Sequence, residues 1–169
     1  YSIDLNEGPP STTLGTEARQ PLAVNMYLTD SARDHVDWLR ANNQFSHTGS
    51  GGSTPTARMV AAGYGTSGSF SSGENLAVTM SSQTIANITT EVDKHERNLF
   101  VDDGVAGRGH RVNMLNGSLS EVGIGISLGA FTYNGTTWTG SMLSGQNFGS
   151  KAGKKFLTGV VYADTVTNN

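Results

Sequence analysis

Imidazole is the side chain best suited to metal binding and to proton transfer near neutral pH, and the chain has four: His35, His47, His95 and His110. Two of them sit at loop ends beside glycines, His47 in FSHTGSGG and His110 in GRGHR. Glycine lets backbone approach a side chain closely and turn sharply around it. Two acidic positions have a similar setting. Glu74, in SSGENLAV, follows a glycine and enters an apolar strand, where a carboxylate needs a donor or a cation. Asp102 and Asp103, in FVDDG, fall where an apolar helical stretch stops. Adjacent carboxylates there meet the negative end of a helix and need compensating charge. Arg108 and Arg111 are the nearest candidates to supply it. Two imidazoles with one or two carboxylates make a Zn²⁺-type donor set with positions left open for water. His35, in RDHVDW, and His95, in DKHERN, lie mid-helix among charged neighbours and read as solvent-facing or boundary positions.

Other chemistries are poorly represented. No H-E-x-x-H, G-x-S-x-G, phosphate-binding loop or EF-hand loop is present, and no single serine stands out as a nucleophile. The absence of cysteine excludes disulfides, thiolate metal sites and a cysteine nucleophile. The net charge of -3 without a basic block argues against a nucleic-acid partner. No apolar run approaches the roughly 18 residues of a membrane span. The start at Tyr1, without an initiator Met or signal peptide, reads as a processed or trimmed chain. The low Lys content and Ser/Thr/Gly/Asn-rich loops lean towards an extracytoplasmic protein.

The elements that must position these residues can be read in outline. Residues 1–20 form an irregular arm broken by Gly8, Pro9 and Pro10; residues 21–150 carry the folded domain; residues 151–169 form a tail, an added edge strand or the start of a following module. Leu28, Ala32, Val36 and Leu39 recur at helical spacing, as one long helix or two abutting ones, with Thr29 or Asp30 as a cap for the second. Thr54-Pro55 opens a short helix that stops at Gly63. ENLAVTM has strand character. Ile85, Ile88, Val92, Leu99 and Phe100 mark a second long helix, and HRVNMLN a short one. EVGIGISLG alternates apolar residues with glycine, as a strand does against close-packed backbone. Asn134-Gly135 between alternating aromatics predicts a two-residue hairpin, and SMLSGQNFG continues as strand. Late strands joined by tight turns imply an antiparallel sheet with helices over its faces.

Taken in order, NMYLTDSARDHVDWLRANNQFSH, ARMVAAGY, SGENLAV and GRGHRVNMLNGSLSEVGIGI resemble the CAP superfamily, the cysteine-rich secretory, antigen 5 and pathogenesis-related 1 proteins. The likeness is to its cysteine-free bacterial branch of SCP-like extracellular proteins and covers roughly residues 20–150. It implies an α+β fold, a three-layer α-β-α sandwich around a central antiparallel sheet. It also implies a shared cleft of two histidines and two acids. His47 matches the first histidine, Glu74 the first acid and His110 the second histidine. The family's aromatic-x-x-Glu turn is replaced here by FVDD, which makes Asp103 the best substitute and Asp102 the next.

Three functions follow as expectations. The first is a secreted or cell-surface binding module, with His47 and His110 able to hold a divalent metal, Zn²⁺ ahead of Ca²⁺ or Mg²⁺, and a lipid, glycan or protein surface as ligand. The second is a metal-dependent, protease-like hydrolase with Glu74 as general base. The third is a structural domain of a larger surface protein.

Overall fold

The computed structural model describes residues 3–5, 7, 8, 14, 18–66 and 68–159. Strand β1 (Ala23–Val24) leads into helix α1 (Met26–Ala41), a single helix. Its cap is Asn25, not Thr29 or Asp30: the Asn25 side chain accepts from the N–H groups of Tyr27 and Leu28. Helix α2 (Pro55–Ala61) opens on Thr54, whose hydroxyl accepts from Ala57 N–H. Strand β2 (Phe70–Thr79) follows and takes up residues that read as flexible loop. Helix α3 (Ile88–Val101) starts later than its apolar pattern suggested, because Asn87 caps it by accepting from Thr90 N–H. Helix α4 (Gly109–Leu115) and strands β3 (Glu121–Tyr133) and β4 (Thr136–Lys151) complete the domain. The turn between β3 and β4 consists of Asn134 and Gly135, both at positive φ (48° and 78°), as a two-residue primed hairpin requires.

The strand order is β1-β3-β4-β2. β2, β4 and β3 are antiparallel, whereas β1 pairs in parallel with β3 over two residues, so the sheet is mixed at that edge. Helices α1 and α2 lie on one side of the sheet and α3 and α4 on the other, which gives the α-β-α sandwich. Glycines on β3 let α1 approach: a Cβ on Gly123 would sit 2.1 Å from Thr29 N, and one on Gly125 2.4 Å from the Ala32 carbonyl carbon. Under α1 lies the main apolar cluster of Val36, Leu39, Leu76, Phe131 and Leu143.

The face under α3 is polar, and this overturns the expectation for His95. The buried residues of α3 are Glu91, His95 and Leu99. His95 bonds through Nδ1 to Ser144 Oγ at 2.7 Å and through Nε2 to Thr79 Oγ1 at 2.9 Å. Thr79 Oγ1 donates in turn to Glu91. His35 is likewise buried, not solvent-facing, on the α1 side. In the tail, residues 152–159 form no strand, and Thr158 Oγ1 donates to Pro21 O at 3.5 Å. The alternating residues 160–169 lie outside the described residues.

Candidate functional site

β2 is an edge strand, and two of its consecutive residues organise the site. Side chains alternate faces along a strand, so Glu74 points to the α1–α2 side and Asn75 to the side of α3 and α4. The Glu74 side chain is only 2% exposed and has both oxygens engaged. Oε1 faces His47 Nδ1 at 2.8 Å, and Oε2 accepts from Arg58 Nη2 at 2.6 Å. Arg58 also donates through Nη1 to the carbonyls of His47 (3.0 Å) and Ser53 (2.9 Å), so one guanidinium holds both the acid and the histidine loop. Burying a carboxylate is costly unless it is paired and hydrogen-bonded; Arg58 and His47 meet that need. His35 stands behind them, its Nε2 3.9 Å from Glu74 Oε1 and bonded to Ser46 O at 3.1 Å. Burial pushes the His35 pKa down, against the opposing pull of the Glu74 charge. The ring is therefore neutral near pH 7, with its hydrogen on Nε2.

The second pair forms where α3 stops. Asp102 takes the left-handed conformation (φ 54°) that ends the helix, and this turns its carboxylate inward. Asp102 Oδ1 faces His110 Nδ1 at 2.6 Å, and Oδ2 accepts from the backbone N–H of His110 at 2.9 Å and of Arg111 at 3.5 Å. The intervening loop folds back through positive φ at Gly104, Gly107 and Arg108. Asp103 is not the acid of this pair. The turn at Asp102 sends the next side chain outward, and Asp103 is 92% exposed, 4.0 Å from Arg108.

Of the two arginines expected to balance the acids, Arg108 does so, 4.0 Å from Asp103 and within the field of Asp102, and Arg111 serves another end. Arg111 is buried, and donates to the last carbonyls of α3, Phe100 O and Val101 O, and to the arm at Asp4 O and Glu7 O. It compensates the negative end of α3 rather than the Asp102 carboxylate. Arg108 donates to Asp102 O and pairs with Glu7.

The two pairs are tied to the same stretch of β2. Asn75 Nδ2 donates to His110 O at 3.1 Å and to Gln146 Oε1 at 3.0 Å, while Asn75 Oδ1 accepts from Asn113 Nδ2 at 2.9 Å. The edge strand thus holds the His47 loop through Glu74 and the start of α4 through Asn75.

An ionised carboxylate only accepts, so the hydrogen of each pair lies on the imidazole Nδ1. With the ring hydrogen on Nδ1, the Nε2 lone pair is what an unprotonated imidazole has left to offer, and neither Nε2 has a hydrogen-bond partner among the described residues. The His47 side chain is 53% exposed and that of His110 25%. Imidazole backed by a carboxylate on one nitrogen is the usual outer-shell arrangement for a metal-ligating histidine. Among the described residues no three His, Asp or Glu side chains cluster as a ready metal cage.

Reading the sequence did not single out Arg58, Asn75 or Asn113. Arg58 did leave a signal, as the only basic residue of PTARMVAAGY, three residues after the helix-opening proline. His35 left one too: Leu28, Ala32, His35 and Leu39 are spaced by four, three and four, the buried stripe of a helix.

The family model described as CAP, the cysteine-rich secretory protein family, matches residues 17–142. Comparison with curated proteins finds no match. Among solved structures, an extracellular protein containing an SCP domain from Bacillus anthracis has a TM-score of 0.52 at 23% identity, over 77% of this chain and 34% of that one. The chain therefore spans about a third of that longer protein. An outer surface protein from Borrelia burgdorferi has a TM-score of 0.51 at 17% identity, over 79% of this chain and 80% of that one.

Proposed function

The chain belongs to the CAP family of cysteine-rich secretory proteins, and on that footing we propose that it is an extracellular, non-enzymatic binding module whose His47 and His110 offer Nε2 to a divalent metal. The observation that carries this reading is the pairing of each imidazole, through Nδ1, with a buried carboxylate. Glu74 and Asp102 then serve as outer-shell supports, not ligands, because their oxygens are already engaged. Two protein nitrogens with water in the remaining positions make a weak, exchangeable site rather than a closed four-ligand structural one. Zn²⁺ suits imidazole nitrogen better than Ca²⁺ or Mg²⁺, which take oxygen ligands. The extracellular and surface character of the two structural neighbours supports the same setting for this chain.

Hydrolysis is the weaker reading. A general base must be free to take a proton from water within hydrogen-bond reach. Glu74 is buried with both oxygens occupied, one of them by an arginine, which counts against that role.

Calorimetric zinc titration of the metal-stripped protein, beside His47→Ala, His110→Ala and the double variant, tests the proposal. The expected result is saturable one-to-one binding that either single substitution weakens strongly. Two single variants that each retain wild-type binding would overturn a shared site, and no binding to the wild type would overturn the metal altogether.

A further inference from the structure

A groove of about 450 Å³ lies between α1 and α2, with Arg58 but not Glu74 among its lining residues. Its volume falls within the roughly 300–1,000 Å³ of small-molecule sites. The α2 wall carries Ala57, Arg58 and Ala61, with Ala62 just past the helix end, so small side chains make up most of it. The α1 wall carries Asp34, His35 and Trp38. Trp38 is stacked with His35, at 6.2 Å between ring centroids and 11° between planes, which fixes the indole at the groove.

The charges on the wall are unequal in what they still offer. Arg58 has its terminal nitrogens committed to Glu74, His47 O and Ser53 O. His35 is neutral, with its hydrogen given to Ser46 O, so its Nδ1 is a buried acceptor without a partner among the described residues. Arg58 Nε is the one buried donor there in the same state. Asp34 is exposed, and its carboxylate makes no hydrogen bond or ion pair among the described residues. It lies four residues before Trp38, on the same face of α1. The unspent charge of the groove is thus a carboxylate beside an indole, and an indole attracts cations to its ring.

We infer that this groove binds a small organic cation with a flat apolar body, its ammonium group at Asp34 and Trp38 and its body against Ala57 and Ala61. The site is separate from the two histidine Nε2 atoms and does not depend on metal binding. Arg58 is common to the groove and to the Glu74–His47 pair, so an occupant would press on the residue that holds that pair.

The test uses phenethylammonium as probe, with 2-phenylethanol as the neutral and 3-phenylpropanoate as the anionic counterpart. The readout is Trp38 fluorescence in a Trp138→Phe background, since the chain has two tryptophans. Saturable binding of the cation is expected, weakened about tenfold for the neutral probe, which loses both the ion pair and the cation–π contact, and about threefold by Asp34→Asn, which removes only the exposed ion pair. Ala61→Phe should abolish it by filling the groove. Both positions are exposed, so far-UV circular dichroism and melting temperature should stay at the parent values. Equal binding of the anion, an unchanged affinity in Asp34→Asn, or no saturable signal from the folded parent would each overturn the inference.

Discussion

At the scale of single residues, the site depends on which of two adjacent aspartates turns inward. Asp102 is buried under three donors, whereas Asp103 is in solvent. Asp102→Ala should therefore cost about 2–4 kcal/mol, the range for losing charge-assisted bonds and leaving buried donors unpaired. Asp103→Ala should stay within about 0.5 kcal/mol, as surface changes do. Urea denaturation of both variants measures the difference. Type and spacing made His47, Glu74 and His110 legible as candidates, and narrowed the acid to two neighbours. They could not choose between Asp102 and Asp103, because the choice rests on one left-handed φ that either residue could adopt. Arg58 was hidden for a different reason: its partner lies 16 residues away on another element. Arg58→Met should cost about 3 kcal/mol by leaving Glu74 as a buried charge without its cation. Adding Glu74→Gln should recover part of that loss, and a double-mutant cycle by denaturant melts reads the coupling.

At the scale of elements, the helices and the hairpin were legible where local chemistry sets them. Thr54-Pro55 opens α2 and Asn134-Gly135 turns β3 into β4. The start of α3 was not, because Asn87 caps it inside an apolar pattern that continues upstream. Nor was the burial of His35 and His95, since mid-helix histidines among charged neighbours look solvated until the opposing sheet face is known. That face presents Thr79 and Ser144 to His95, so a polar stripe on α3 is buried where an apolar one was expected. Both histidines have pKa values lowered, first by burial. Below about pH 6.5 the unfolded chain takes up protons that the folded chain refuses, so stability falls as pH drops through this window and is full above it. The slope is at most about 1.4 kcal/mol per pH unit for each histidine. Melts between pH 5 and 7.5 should show it, and His95→Gln should make the dependence shallower. Gly125 offers a separate check on α1 docking. An alanine there meets α1 backbone at 2.4 Å, so Gly125→Ala should cost about 3 kcal/mol or prevent folding, as overpacking against rigid backbone does.

At the scale of the whole molecule, one edge strand joins the two sides of the sandwich. Glu74 holds the His47 loop on the α1–α2 side, and Asn75 holds the start of α4, with His110, on the other. The sandwich was legible from the order of helices and late strands, together with the resemblance carried by FSH, GEN and GHR. The short parallel strand β1 was not, since two residues carry no period. The central claim is that both imidazoles are held by carboxylates on Nδ1 and present Nε2 to a metal. Long-range ¹H–¹⁵N spectra of the imidazoles at pH 7.5, recorded before and during zinc addition, test it most directly. The account predicts the Nδ1–H tautomer for both His47 and His110, and a shift of both Nε2 resonances with the same one-to-one end point. An Nε2–H tautomer in either ring, or zinc that leaves both Nε2 signals in place, would contradict it.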